Sequence, residues 1–398
     1  MKRREFAGLL VTAAAGIVLP KFALAGLVTQ SGPRYTISSG GDSCTGFTPD
    51  AGWTCSGTFA DGQDVTVTKS AGGLGFSTDP RPLLWIPGSS SAAQDSTYSR
   101  NSTTTLVANS GTAVDTAIHP TNAAGSLRQT WPISGGDTVL WWSTTSWESN
   151  NTFSTGVVYA SVKRYHNFNP DDPTNTGAVS GDYNDKTFRI WPATFGNRDL
   201  YDKIRDQDSL SVIEGDASDT QYCGSSSCSS VHLNFSIDTW YQHEHIFKEN
   251  SALDAQDGLF RWYVNAGRAN SESLGWQTRS TSQPNSKALF YLDQISNVST
   301  NTDLENGAKH IWVADVYISD QLRRFTVSTE STCFTATTMD GSNDPGIFRE
   351  IQLPRNGTGS DSSVGLHLRK GTYASMSGKY LCFWPNDGTS PERVGTFQ

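Results

Sequence analysis

The sequence predicts an all-β protein, and three observations carry the prediction. Charged residues make up only 17% of the 398-residue chain, so the Glu, Lys and Arg that build exposed helix faces are scarce. Short runs rich in Val, Tyr, Trp, Phe and Thr recur, bounded by Gly, Asn, Ser and Asp. No segment shows convincing helical amphipathicity, and no internal repeat stands out. Many antiparallel strands joined by glycine and asparagine turns fit a sandwich or jelly roll.

The chain opens MKRREFAGLLVTAAAGIVLPKFALA. Lys2, Arg3 and Arg4 precede an apolar run from Ala7 to Pro20, and Ala23-Leu24-Ala25 supplies small residues for cleavage. Residues 1–25 therefore read as an export signal, too short in its apolar part for a membrane span. Arg3-Arg4-Glu5-Phe6 resembles a twin-arginine signal, which implies export in the folded state; an ordinary secretory signal or an uncleaved anchor is the alternative. The remaining chain would carry 26 basic and 38 acidic residues, a formal charge of −12. Such a surface repels nucleic acid and anionic lipid at long range, so neither is an expected partner. The expected location is periplasmic, extracellular or on the cell surface.

An even cysteine count in an exported chain favours disulfides. Clustering suggests Cys44–Cys55, Cys223–Cys228 and Cys333–Cys382. CGSSSC puts four residues between Cys223 and Cys228, where redox and zinc motifs have two, and it reads as a loop staple.

Four segments follow. The signal (1–25) precedes a loop-rich β segment (26–125), expected to pack on a jelly roll (126–325), and a small disulfide-tied β module (326–398) closes the chain. The first segment holds an alternating strand at Asp64–Thr68 and an apolar one at Pro82–Ile86; residues 87–125, rich in Ser, Thr, Asn and Ala, read as surface chain. Strands are then expected at Asp137–Ser143, Gly156–Tyr165, Lys186–Trp191, His232–Phe235, Trp240–Lys248, Gly258–Asn265 and His310–Ser319. The C-terminal module contributes FREIQLP, VGLHLRKGTY and GKYLCFWPNDG.

Side chains alternate across a strand, so each strand offers one inward and one outward set. In WYQHEHIFK, Tyr241, His243, His245 and Phe247 form one set, and Trp240, Gln242, Glu244, Ile246 and Lys248 the other. Glu244 and Lys248 resist burial, so the histidine set is assigned inward and the glutamate set outward. If the parity were reversed, His243 and His245 would become the leading acid–base candidates. The outward sets of four strands combine Tyr159, Lys163, Tyr165, Arg189, Trp191, Gln242, Glu244, Lys248, Arg261 and Tyr263. This set is aromatic and mostly basic. Aromatic rings stack on sugars, and Arg and Lys pair with carboxylate or sulfate, so a concave surface of this kind suits an acidic polysaccharide.

TWYQHEHIFKEN followed by DGLFRWYVNAG resembles the paired strands of concanavalin A-like jelly rolls, in particular the polysaccharide lyase and heparin lyase I-like branch. NDKTFRIW and HIWVADVYISD are similar to other strands of that fold, and the resemblance covers roughly residues 130–325. It implies a concanavalin A-like β-sandwich. Ala314 stands where an acidic residue is common in the late strand, and the alginate-lyase signatures R-x-E-x-R and Q-I-H are absent. The E-x-D-x-x-E strand of the glycosidase branch is absent too. Glu244 and Glu249 are five apart, on opposite faces, whereas retaining hydrolysis needs two carboxyls about 5 Å apart.

Two functions fit these residues. A polysaccharide lyase acting on uronic-acid chains would neutralise the substrate carboxylate with Arg189, Arg261 or Gln242. Tyr263, sharing a face with Arg261, would then be its base and acid, with Tyr165 and His243 in reserve. Tyr159, Lys163, Tyr165, Trp191 and Lys248 would hold the polymer. No cofactor is required, although Asp171, Asp172, Asp182 and Asp185 could hold structural calcium. A non-catalytic glycan-binding or adhesive protein would use the same face without turnover, and a purely structural cell-surface component is a third reading.

Overall fold

The computed structural model describes residues 43–76, 79–87, 97–100, 105–108, 112–120, 125–130, 136–143, 156–167, 183–191, 200–205, 209–212, 238–255, 257–264, 267–268, 289–297, 310–333, 351–371, 373–385 and 391–398. For 105–108, 112, 136–143, 183–191, 200–205, 209–212, 259–264, 267–268, 289–297 and 358 it describes the backbone alone. The export signal, Cys223, Cys228, His232–Phe235, Asp171, Asp172 and Asp182 lie outside the described residues.

All regular structure among the described residues is β. In chain order come β1 (Ser43–Thr45), β2 (Phe47–Pro49), β3 (Trp53–Thr58), β4 (Asp64–Lys69), β5 (Leu84–Ile86), β6 (Thr105–Ala108), β7 (Thr112–Asp115) and β8 (Ser126–Thr130). The middle adds β9 (Gly136–Ser143), β10 (Val157–His166), β11 (Tyr183–Trp191), β12 (Leu200–Arg205), β13 (Ser209–Val212), β14 (Trp240–Lys248), β15 (Leu259–Val264), β16 (Gly267–Arg268) and β17 (Leu289–Asn297). The last are β18 (His310–Ser319), β19 (Arg324–Ser328), β20 (Ile351–Leu353), β21 (Arg355–Gly359), β22 (Ser363–His367), β23 (Tyr380–Trp384) and β24 (Glu392–Phe397). β14 and β18 cover the same residues that alternation predicts. β6 and β7 lie in the Ser/Thr-rich stretch expected as surface chain.

An eight-stranded sheet runs β16-β15-β14-β10-β18-β8-β7, with β5 also on β18. A six-stranded sheet runs β13-β12-β11-β17-β9-β6. Two five-stranded sheets, β1-β3-β4-β22-β21 and β2-β24-β23-β19-β20, complete the set. Pairing is antiparallel throughout except between β1 and β3.

The two five-stranded sheets share one apolar core. Trp53, Val67 and Leu366 from one sheet meet Phe325, Leu353, Phe383 and Phe397 from the other. Both sheets mix the chain's two ends: β4 pairs with β22, and β2 with β24. Residues 43–69 therefore complete a sandwich with the C-terminal segment. Both disulfides expected from clustering are present: Cys44–Cys55 ties β1 to β3, and Cys333–Cys382 ties the turn after β19 to β23. Gly371 is obligatory here: its φ is +56°, and a Cβ would collide with the Ile351 side chain. Gly40–Gln398 form one compact unit.

Candidate functional site

The eight-stranded sheet positions the chemistry. Across β10, β14 and β18, opposed residues fall into two faces. One face carries Val158, Ala160, Val162 and Arg164, with Tyr241, His243, His245 and Phe247 opposite them on β14. The other carries Tyr159, Ser161, Lys163 and Tyr165, opposite Ile246, Glu244, Gln242 and Trp240.

His243 and His245 are inward as assigned, at 0% and 1% exposure. Burial, followed by the charge of Arg164, holds both well below the ordinary histidine range, so both are neutral near pH 7. The outward assignment of Glu244 is corrected: Glu244 is 1% exposed, Tyr159 0% and Lys163 4%. The terminal sandwich covers this part of the face. Tyr159 donates to Glu244 Oε1 at 2.5 Å, and Gln352 Nε2 of β20 donates to the same oxygen at 3.3 Å. Arg324 of β19 lies between the rings of Tyr159 and Trp384, at 4.8 and 4.3 Å from their centroids. Burial pushes the Glu244 carboxyl up to about 8, against the opposing pull of Tyr159, Arg324 and Gln352.

Lys163 is covered by the same layer. Its Nζ lies 3.5 Å from Asp315 Oδ2, and Arg369 pairs with that same oxygen. Burial would raise the Asp315 carboxyl, but Arg369 and Lys163 outweigh it and hold it below its ordinary value. Burial also lowers the Lys163 ammonium, with Asp315 opposing. Asp315 sits at φ +54° where the β10–β18 register slips. That bulge puts Trp312 and Tyr317, five residues apart, on one face, which strict alternation would have separated.

The same face is less covered toward the β14 start. One register row runs Trp240 (β14), Tyr165 (β10), Trp312 (β18), Arg128 (β8). At the usual strand spacing it spans about 14 Å. The Tyr165 ring centroid is 5.4 Å from Trp240 and 5.2 Å from Trp312. Trp240, Tyr165 and Arg128 are half-buried, while Trp312 is buried. Hydrogen bonds fix the rings: Tyr165 Oη donates to Asp238 Oδ1 at 2.8 Å, and Trp312 Nε1 to Asp115 Oδ2 at 2.9 Å. Burial, then Asp238, pushes the Tyr165 phenol up to about 12, so it stays protonated. Arg128 lies 3.8 Å from Asp115 and is not an unmatched cation. Gln242, one row away, donates to Ser161 Oγ at 3.1 Å.

The remaining expected residues are dispersed. Tyr263 and Arg261 occupy the register positions opposite Glu244 and Ile246. Lys248 is exposed. Arg189, Trp191 and Asp185 belong to β11, which pairs with β12 and β17 in the six-stranded sheet. The expected surface combining Arg189 and Trp191 with β10, β14 and β15 is therefore not one sheet face. Among the described residues, no group of three or more His, Cys, Asp or Glu is placed to hold a metal. No described helix is long and apolar enough to cross a membrane.

No family model and no curated protein matches the chain. Solved structures align at low similarity. The catalytic domain of the glycoside hydrolase family 131 protein from Coprinopsis cinerea aligns at 12% identity and TM-score 0.33, over 56% of this chain and 86% of that one. An endo-β-1,4-glucuronan lyase from the fungus Trichoderma reesei aligns at 8% identity and TM-score 0.33, over 60% and 95%. A marine alginate lyase from Aplysia kurodai aligns at 11% identity and TM-score 0.32, over 61% and 99%. Scores this low decide nothing about activity.

Proposed function

We propose that the chain is an exported carbohydrate-binding protein, and that a glycan lies on Trp240 and Tyr165, the partly exposed rings of the row Trp240–Tyr165–Trp312–Arg128. The observation that supports this reading is the row itself: three aromatic rings and a guanidinium in one register line, with Trp240 and Tyr165 half-exposed. Sugar rings have apolar C–H faces that pack on such rings, while polar edges such as Asp238 and Gln242 accept or donate to hydroxyls. Because Arg128 faces Asp115 and Lys163 faces Asp315, the row favours a glycan of low charge over a polyuronate.

The test is affinity electrophoresis of the purified protein through gels containing neutral glucans, mannans, xylans and polyuronates. Retardation by a neutral polymer is expected. Trp240→Ala should weaken it roughly 10- to 30-fold, as loss of a half-buried aromatic anchor does. Undiminished retardation of Trp240→Ala, or none by the unaltered protein on any polymer, would sink the assignment.

The lyase remains a second reading because Tyr263 and Arg261 occupy neighbouring positions beside Glu244 and Ile246. Absorbance near 235 nm with polyuronates separates the two. A rise lost in Tyr263→Phe would establish β-elimination; a flat trace leaves binding alone.

A further inference from the structure

The layer between the eight-stranded sheet and the terminal sandwich holds more positive than negative charge. Arg324 and Arg355 are both 0% exposed, and Tyr317 is 1% exposed. The two guanidiniums grip consecutive carbonyls of the turn that leaves β18: Arg324 Nη1 donates to Leu322 O at 3.0 Å, and Arg355 Nη1 to Arg323 O at 2.8 Å. Arg355 Nε donates to Pro80 O. That leaves Arg324 Nε and Nη2, Arg355 Nη2 and the Tyr317 hydroxyl buried, with no hydrogen-bond partner among the described residues. Tyr317 packs edge-on against Tyr159 at 6.0 Å, and the same Tyr159 ring carries Arg324 on its face. Tyr317 and Arg324 thus share the Tyr159 ring, and the charges of both Arg324 and Arg355 reach the Tyr317 hydroxyl.

The neighbouring carboxylates each face another cation, and of these Asp320 and Asp79 also act on Arg355 at longer range. Asp320 pairs with Arg100 at 2.6 Å, Asp79 with Arg81 at 2.8 Å, and Asp315 with Arg369 and Lys163. Glu244 is held largely in its neutral form near pH 7. Buried guanidinium donors without an acceptor are strongly unfavourable. A water molecule would satisfy a donor but not the charge.

We propose that Tyr317, Arg324 and Arg355 bind a small monovalent anion of halide size, which fastens the terminal sandwich to the eight-stranded sheet. Two guanidinium edges and a hydroxyl form a donor set for a spherical anion. The Trp240 row plays no part in this site, so glycan binding and anion binding succeed or fail separately.

The test compares thermal unfolding in sodium chloride and in sodium gluconate at equal ionic strength. An anion bound only by the folded state should give a saturable rise in Tm with chloride, roughly 2–4 °C. Arg355→Gln and Arg324→Met should each abolish the difference between the salts. Crystals of the unaltered protein soaked in bromide give an independent readout should either variant fail to fold. An anomalous peak touching Tyr317 Oη and the two guanidiniums is expected. Absence of that peak, or a chloride effect undiminished in both variants, would overturn the proposal and leave solvent as the partner of these donors.

Discussion

Two buried regions of this molecule are held by opposite chemistry. Inside the terminal sandwich, Trp53, Phe76, Phe325 and Phe383 pack ring to ring with centroids 5.0–6.3 Å apart. In the layer that joins this sandwich to the eight-stranded sheet, the buried groups are Lys163, Glu244, Asp315, Arg324, Arg355 and Arg369. An apolar core works at any pH and tolerates imperfect pairing. A polar layer is stable only if each charge is matched, so it fixes the angle and register of the two parts while remaining sensitive to protonation.

The largest expected effect tests the apolar side. Phe325→Ala should cost about 4 kcal/mol from lost burial and the cavity left behind, with little dependence on pH. Denaturant melts at pH 5 and pH 8 check both halves of that statement; a strongly pH-dependent loss would dissolve the contrast. Next comes Asp315→Asn, which strands Lys163 and Arg369 without their carboxylate and should cost about 3 kcal/mol. Asparagine also tolerates the positive φ at this position, so the change isolates charge from backbone strain. Stability unchanged in Asp315→Asn would mean that the charge cluster contributes nothing.

The pH profile sharpens the comparison further. Glu244 has a folded pKa of about 8 against an ordinary value of 4.5, so the folded protein keeps a proton that the unfolded chain releases. Its effect is to lower stability as pH rises between those values. His243 and His245 are shifted the other way, well below 6.5, so the unfolded chain gains protons first as pH falls through that point. Below pH 6.5 two histidines outweigh one glutamate, and stability falls with falling pH. A maximum is expected near pH 6.5, with a decline of up to about 1.4 kcal/mol per pH unit toward pH 8. Glu244→Gln should remove the alkaline decline; a decline of equal slope in that variant would assign it to another group. The smallest effect belongs to the open row. Tyr165→Phe loses one exposed bond to Asp238 and should change stability by less than about 0.5 kcal/mol. Equilibrium unfolding that shows a larger loss would make the row part of the core.

The strands were legible because alternation is local. WYQHEHIFK and HIWVADVYIS declare their extent through aromatic and β-branched residues at short range. The burial of His243 and His245 was foreseen on a premise that failed, since Glu244 between them is buried as well. Glu244 was misplaced because alternation identifies two faces but not what lies over each. A carboxylate reads as solvent-facing unless a partner such as Tyr159 or Gln352 is known, and Gln352 is 108 residues away. Trp312 gave no local sign of joining Tyr165 and Trp240, because the pairing of β18 with β10 joins strands far apart along the chain. Arg128, in the register row beside Trp312, carried no local sign of its neighbours.

By itself the sequence determined the all-β class, the extents of the strongest strands and two disulfides, because each depends on residues near one another or on clustering along the chain. Tertiary structure alone decided that residues 43–69 and 351–397 interleave into one sandwich, and that this sandwich covers Tyr159, Lys163 and Glu244 while leaving Trp240 and Tyr165 half-open. The physical reason is that burial depends on what packs over a face. Strands widely separated along the chain supply that cover here, and their pairing leaves no mark in the local pattern of any one of them.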